Sequence, residues 1–253
     1  MMKNENWKKT AIKFSIALLL IIVCLAVSVI KTGAYNRAKH HKVLAGPALF
    51  SSGVTRRDDV TVVASARSST WTKAFDFFNE GITEHNYQAF TYDFNVNNNT
   101  KDEVKEFSFK LTFGKEVFLS SAWNGALEIH QNEGSGEYVA TVPDLRGFVP
   151  EDYNFKTFTV EGETLIDMKA GDYLIYIPSS SVNALEMPIS PMEGTTPGII
   201  MYLPIGETID GSVLELDYIF HRKLTSEPLF WISLAGLAVW LVALIIFAIT
   251  SAQ

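Results

Sequence analysis

The chain has 253 residues, 47% of them hydrophobic, with a mean hydropathy of +0.13 and a formal net charge of −7. Its single cysteine, Cys24, excludes a disulfide framework, and the acidic balance excludes a nucleic-acid partner, because such a surface repels a polyphosphate. The apolar excess sits in two blocks near the two ends, which points to a membrane-tethered domain.

Residues 1–13 carry Lys3, Lys8, Lys9 and Lys13 and read as a cytoplasmic tail. Residues 14–30 (FSIALLLIIVCLAVSVI) are uninterrupted apolar sequence, and with 11–13 they reach the length of about 20 residues that a bilayer span needs. A cleaved signal would also begin with basic residues, but its apolar run stops at about 15 residues and a small-x-small site follows. Here the run is longer and Gly33-Ala34-Tyr35 is a poor site, so an uncleaved anchor is expected. Cys24 lies in this run and reads as a lipid-facing thiol.

Residues 31–59 read as a juxtamembrane linker, first basic and then rich in turn formers such as Gly46-Pro47 and Ser51-Ser52-Gly53. The adjacent His40 and His41 would diverge in either a strand or a helix, so they do not suggest a metal site.

Residues 60–227 form the main domain. The stretch 43–227 holds 13 Lys and Arg against 27 Asp and Glu, a net of −14, and no cysteine. Strands are expected at 60–67, 70–78, 87–96, 106–113, 126–131, 137–142, 173–177, 198–203 and 213–220, with a further short one running into Trp123. The clearest alternate strictly: Phe90, Tyr92, Phe94 and Val96, then Phe107, Phe109, Leu111 and Phe113, with residues 97–102 supplying turn chemistry between them. Short strands at this spacing, with no amphipathic helix between them, specify an all-β antiparallel sandwich flanked by two transmembrane helices. Residues 178–204 hold five of the nine prolines and read as a long loop, either capping the sandwich or offering a contact surface.

The second span is expected at 228–250, followed by a short tail at 251–253. Trp231 suits an interface, whereas Trp240 lies mid-span and does not. Lysines and arginines flank both spans, so they do not settle orientation. The short N-terminal tail before the first span suggests that the tails stay inside and the domain is exported across the plasma membrane.

No phosphate loop, nucleophile elbow or His-Glu-x-x-His run occurs, so neither an enzyme nor a cofactor site is expected. Asp144, Glu151, Asp152 and Asp172 could offer hard oxygen ligands, but no calcium-loop spacing supports them. What remains is aromatic side chains on a β scaffold. A sugar ring stacks its C–H face on such a ring while its hydroxyls seek amides and carboxylates. Phe78, Trp123 and Tyr153 are the candidate aromatics, with Asn79, Asn124, Gln131 and Asn154 close in sequence. For each of them an ordinary core position is the competing reading.

The run Phe78-Asn79-Glu80-Gly81-Ile82, the strands at 90–97 and 106–113, and Ser120-x-Ala122-Trp123-Asn124 together resemble family 2 carbohydrate-binding modules over about residues 70–177. The resemblance implies a β-sandwich that binds cellulose, chitin or xylan through exposed aromatics. Phe78 and Trp123 fall at the family's first two binding aromatics, and Asn79, Asn124 and Gln131 join them as the ligand-binding set. Phe107 stands where that family has a core Trp, the flanking cysteines are absent, no third binding Trp is present, and 178–224 runs past the family's usual end. A module between two spans also resembles the extracytoplasmic sensor part of bacterial membrane signalling proteins. Two functions are therefore expected: recognition of a polysaccharide or cell-wall glycan, or a structural subunit whose sandwich docks a membrane-protein partner through 178–204.

Overall fold

The computed structural model describes residues 2–50, 59–67, 74–75, 87–123, 125–133, 136–142, 155–178 and 187–252. Three α-helices occur among these residues, α1 (Met2–Tyr35), the one-turn α2 (Pro47–Phe50) and α3 (Pro228–Ala252), with a short 3-10 helix at Leu224–Ser226. The chain divides into a helical unit, residues 1–38 with 220–253, and a β unit, residues 39–219.

In the helical unit, Trp7–Tyr35 and Pro228–Thr250 are each long and apolar enough to cross a membrane. The helices run antiparallel, since Phe14 meets Trp240 and Phe247 at 6.2 and 5.7 Å between ring centroids while Lys31 pairs with Glu227 at 3.1 Å. The less exposed stripe on α1 includes Phe14, Ile21, Cys24, Ser28 and Thr32, and on α3 Ser233, Gly236, Trp240, Ala243 and Phe247. This three-and-four spacing is the seam of two paired helices, and small residues within it let the backbones approach. Cys24 belongs to the stripe, and its carbonyl accepts the Ser28 hydroxyl at 3.0 Å. That corrects its reading as a lipid-facing thiol.

Beside these helices, Asn36 and Arg222 exchange two hydrogen bonds. The Asn36 amide donates to the Arg222 carbonyl at 3.1 Å, and the Arg222 amide donates to Asn36 Oδ1 at 2.7 Å. The Arg222 guanidinium lies 4.0 Å over the Tyr35 ring and also reaches Glu227 at 3.3 Å. Hydrogen bonds from Lys31 and Arg222 outweigh desolvation and hold the Glu227 carboxyl below the usual carboxylate range.

In the β unit, sheet 1 has the order β1 (Lys39–Ala45), β14 (Val213–His221), β5 (Glu103–Thr112), β11 (Tyr173–Pro178), β7 (Gly125–Glu133), β8 (Gly136–Val142). Sheet 2 has the order β12 (Gly194–Thr195), β4 (Tyr87–Asn98), β13 (Gly198–Pro204), β6 (Val117–Trp123), β10 (Glu163–Met168), β9 (Thr157–Val160). The strands β2 (Val60–Arg67) and β3 (Ala74–Phe75) also pair with β4. The pairings described are antiparallel, as expected of a sandwich. Its core is aromatic: Phe109 lies 4.9 Å from both Phe94 and Tyr176, stacked on the latter at 7°. Leu111, Leu119, Ile129 and Met201 are buried with them.

Three features depart from the sequence expectations. The supposed linker contains β1, whose seven residues all pair with β14, from Lys39 with Ile219 to Ala45 with Val213. Residues 157–168 form the unexpected hairpin β9–β10. Sheet 2 also carries a second cluster, with Tyr87, Ala89, Phe118, Val160, Leu165 and Tyr202 buried together. Its strands therefore bury consecutive residues, Val117-Phe118-Leu119 and Leu165-Ile166-Asp167-Met168, instead of alternating.

Candidate functional site

Alternation sorts sheet 1 into a buried and an outward face. Leu174 and Tyr176 on β11, Phe107, Phe109 and Leu111 on β5, and Leu214 and Leu216 on β14 point inward. The outward face therefore receives Tyr173, Ile175 and Ile177 from β11, Ser108 and Lys110 from β5, and Glu215, Asp217 and Ile219 from β14.

A row of polar and aromatic groups crosses that face. Glu215 pairs with Lys110 at 3.2 Å, the Lys110 ammonium stands 4.5 Å over the Tyr173 ring, and Tyr173 stacks on His130 at 4.3 Å and 14°. The row ends where His130 Nε2 donates to Glu128 at 2.6 Å. Tyr173 and His130 are direct cross-strand partners, which is why their rings meet.

Beside this row lies a groove of about 560 Å³, floored by Ile175, Ile177 and Ile219 and rimmed by Lys39, Lys105, Glu106 and Asp217. Ile177 is 41% exposed, high for an isoleucine on a sheet. Asp217 receives hydrogen bonds from Lys39 and from His41 Nδ1, each at 2.9 Å. Burial alone would raise its carboxyl, but these two partners outweigh burial and hold it below the usual range.

Pro178 and Met187 close one side of the groove. Asn98 fixes the chain beyond Met187, its amide donating to the Ile189 and Ser190 carbonyls at 3.1 Å each. The same amide donates to the Asp102 carbonyl at 2.8 Å, while Asn98 Oδ1 accepts the Thr100 amide at 3.1 Å. One buried asparagine thus builds the turn after β4 and anchors part of the proline-rich loop to it.

The sequence-predicted residues fall in different places. Phe78, Asn79 and Asn124 lie outside the described residues, as do Asp144, Glu151, Asp152, Tyr153 and Asn154. The backbone of Trp123 ends β6 and pairs with Gly198 in sheet 2, and two residues later Gly125 opens β7 and pairs with Pro178 in sheet 1. The chain therefore changes sheets between Trp123 and Gly125, beside the Pro178 end of the groove. Gly125 is required there, because a Cβ would come within 2.4 Å of the Tyr176 ring.

Gln131 is 2% exposed and faces inward structure, not solvent. Its Nε2 donates to the carbonyls of Lys156 and Asp167 at 3.0 and 2.6 Å, and its Oε1 accepts the Lys156 amide at 2.9 Å. Both amide hydrogens are used, leaving none to offer a sugar hydroxyl. Asp172 is similarly committed, its two oxygens accepting the Asn132 and Lys169 amides at 2.9 and 2.8 Å. Among the described residues, no group of three or more His, Cys, Asp or Glu could hold a metal ion.

The groove residues were not singled out in the sequence. Ile175, Ile177 and Ile219 look like ordinary strand isoleucines, and only the register against the buried Tyr176 and Tyr218 turns them outward. The available signal was the parity of β11, which sets Leu174 and Tyr176 on one face and Tyr173, Ile175 and Ile177 on the other.

No protein-family profile matches the chain, and no curated protein matches it. Among solved structures it is similar to a family 11 carbohydrate-binding module from Clostridium thermocellum in complex with a β-1,3-1,4-mixed-linked tetrasaccharide. That match has 10% identity and a TM-score of 0.17, covering 72% of this chain and 88% of that one. It is also similar to a family 28 module specific for non-crystalline cellulose, at 13% identity and a TM-score of 0.18, covering 72% and 98%. Likenesses at these scores carry no argument about fold or ligand.

Proposed function

We propose that this protein is a membrane-anchored, non-catalytic binding module whose exported sandwich recognises a polysaccharide or cell-wall glycan. The observation that carries the reading is the groove on the outward face of sheet 1, with an isoleucine floor and a rim of Lys39, Lys105, Glu106 and Asp217. A sugar chain presents the complementary chemistry, apolar C–H faces and hydroxyls that exchange hydrogen bonds with charged groups. Trp123, Asn124, Phe78 and Asn79 belong to this reading as the aromatic and amide groups that would meet the sugar. Gln131 enters it only as an internal brace. An exported position would suit a sensor part of a signalling system as well as a simple tether.

A second reading follows from one feature of the same surface. Its floor is aliphatic, and isoleucine gives a sugar face less to stack on than a tryptophan does, whereas a protein side chain fills such a groove well. Docking of a membrane-protein partner through the groove and residues 178–204 is therefore the alternative.

The test incubates the full chain, in detergent micelles, with insoluble cellulose, chitin, xylan and peptidoglycan. Retention on one of them, lost in Ile177→Asp and weakened in Trp123→Ala, is the expected result. Absence of retention on all four would end the glycan reading. Crosslinking in native membranes that captures one defined protein with wild type, and none with Ile177→Asp, would then establish the alternative.

A further inference from the structure

The paired helices hold a cavity of about 320 Å³ along one side of their seam, lined by Ala17 and Ile21 of α1 and by Gly236, Val239 and Trp240 of α3, with Lys13 at its end. Gly236 forms part of its wall, and a Cβ there would stand in ordinary contact with Ile21, at 3.5 Å. Lys13 borders the apolar run 14–30, and its long stem can carry the ammonium from there toward a bilayer's phosphates. Lys31 borders the other end of that run and is paired with Glu227. Lys13, by contrast, has no carboxylate partner among the described residues, and Lys9 stands one helical turn away on the same side. The facing half of α3, residues 240–252, contains no charged residue at all.

We infer that this cavity, with Lys13 at its mouth, is a binding site for one anionic phospholipid, an acyl chain lying against Gly236 and the phosphate meeting Lys13. The apolar walls alone would accept any lipid tail. The unneutralised ammonium supplies the selectivity, as basic pockets between transmembrane helices do for acidic head groups. The inference rests on reading the two helices as spans.

The full chain is extracted in mild detergent with equal phosphatidylglycerol and phosphatidylcholine, and retained lipids are counted by native mass spectrometry. Phosphatidylglycerol is expected to be kept about fivefold over phosphatidylcholine, the effect of one lysine near a membrane surface. Lys13→Gln should bring that ratio to about one with total retention little changed, and Gly236→Leu should reduce retention of both lipids by filling the cavity. If Gly236→Leu does not accumulate, Ala17→Leu fills the same space from the other helix. Equal retention of the two lipids by wild type, or an unchanged ratio in Lys13→Gln, overturns the inference. So does full displacement by millimolar glycerol phosphate, which would mark a phosphate site without a chain-binding part. Alkaline carbonate extraction separates the layers of the claim. Release of the protein from membranes overturns the spanning reading and the lipid site together, whereas firm retention without lipid selectivity overturns the lipid site alone.

Discussion

The indole N–H of Trp240 donates to the main-chain carbonyl of Phe14 at 2.9 Å, so a polar group in the middle of one apolar helix is satisfied by the backbone of the other. This explains a tryptophan far from either end of its apolar helix, where an interfacial role would not apply. Trp240→Phe keeps the ring and removes the donor. It should weaken helix pairing by about 0.6–1.7 kcal/mol, the range for hydrogen bonds between membrane helices. A disulfide engineered between Ile21 and Gly236 positions, in a Cys24→Ser background, reads this directly: its yield under mild oxidation should fall in Trp240→Phe.

Gly125 sits where the chain leaves sheet 2 for sheet 1, with Tyr176 packed over it. Gly125→Ala would force the tyrosine ring out of its stack on Phe109, an overpacking that costs about 1–3 kcal/mol or more. Urea unfolding of the full chain should show this loss. Tyr176→Leu is damaging alone, yet in combination with Gly125→Ala it should cost clearly less than the two losses added. Additive losses would show that ring and glycine do not share the space.

Gln131→Ala would remove the acceptor of the Lys156 amide and a donor to the Lys156 and Asp167 carbonyls, the first of which also accepts the Asp167 amide, and a loss of about 2–4 kcal/mol is expected. Gln131→Glu should fall nearly as far, because a carboxylate cannot donate to the Lys156 and Asp167 carbonyls. Glycan retention per folded molecule should stay at the wild-type level in both, which separates a brace from a ligand contact.

Asp217 links β14 to Lys39 and His41 of β1. Its carboxyl titrates below the ordinary value in the folded chain, so its contribution to stability is present above the unfolded value of about 4 and is lost as pH falls through the lower folded one. Between pH 7 and pH 3, wild type should lose about 1 kcal/mol more than Asp217→Asn, a size suited to a partly exposed pair. Thermal unfolding at fixed ionic strength across that range checks it, and equal slopes for the two proteins would contradict it.

Much of the sandwich was legible because its strands alternate. On β5, Phe107, Phe109 and Leu111 face one way and Ser108 and Lys110 the other, and the expected 106–113 fell close to the observed Glu103–Thr112. The β9–β10 hairpin was not legible, since both faces of sheet 2 are buried around Leu165-Ile166-Asp167-Met168 and the period of two disappears. The strand β1 was hidden by composition: Lys-His-His-Lys reads as a basic flank, and only its seven rungs to β14 make it a strand. At the candidate site, the sequence pointed to aromatics and amides by residue type. Whether an amide such as Gln131 is spent internally depends on carbonyls 25 and 36 residues away, which no local pattern reports.

The rung that pairs Lys39 with Ile219 means that the β unit begins and ends on neighbouring backbone positions of a single ladder. Seen from the helices, the whole sandwich is an insertion into a two-helix hairpin, and its two points of attachment span no more than a tight turn would. Such an arrangement makes the parts exchangeable. A short glycine-rich turn could replace 39–219 and leave the hairpin closed, and the excised segment would carry adjacent ends suited to grafting on another scaffold or to circular permutation.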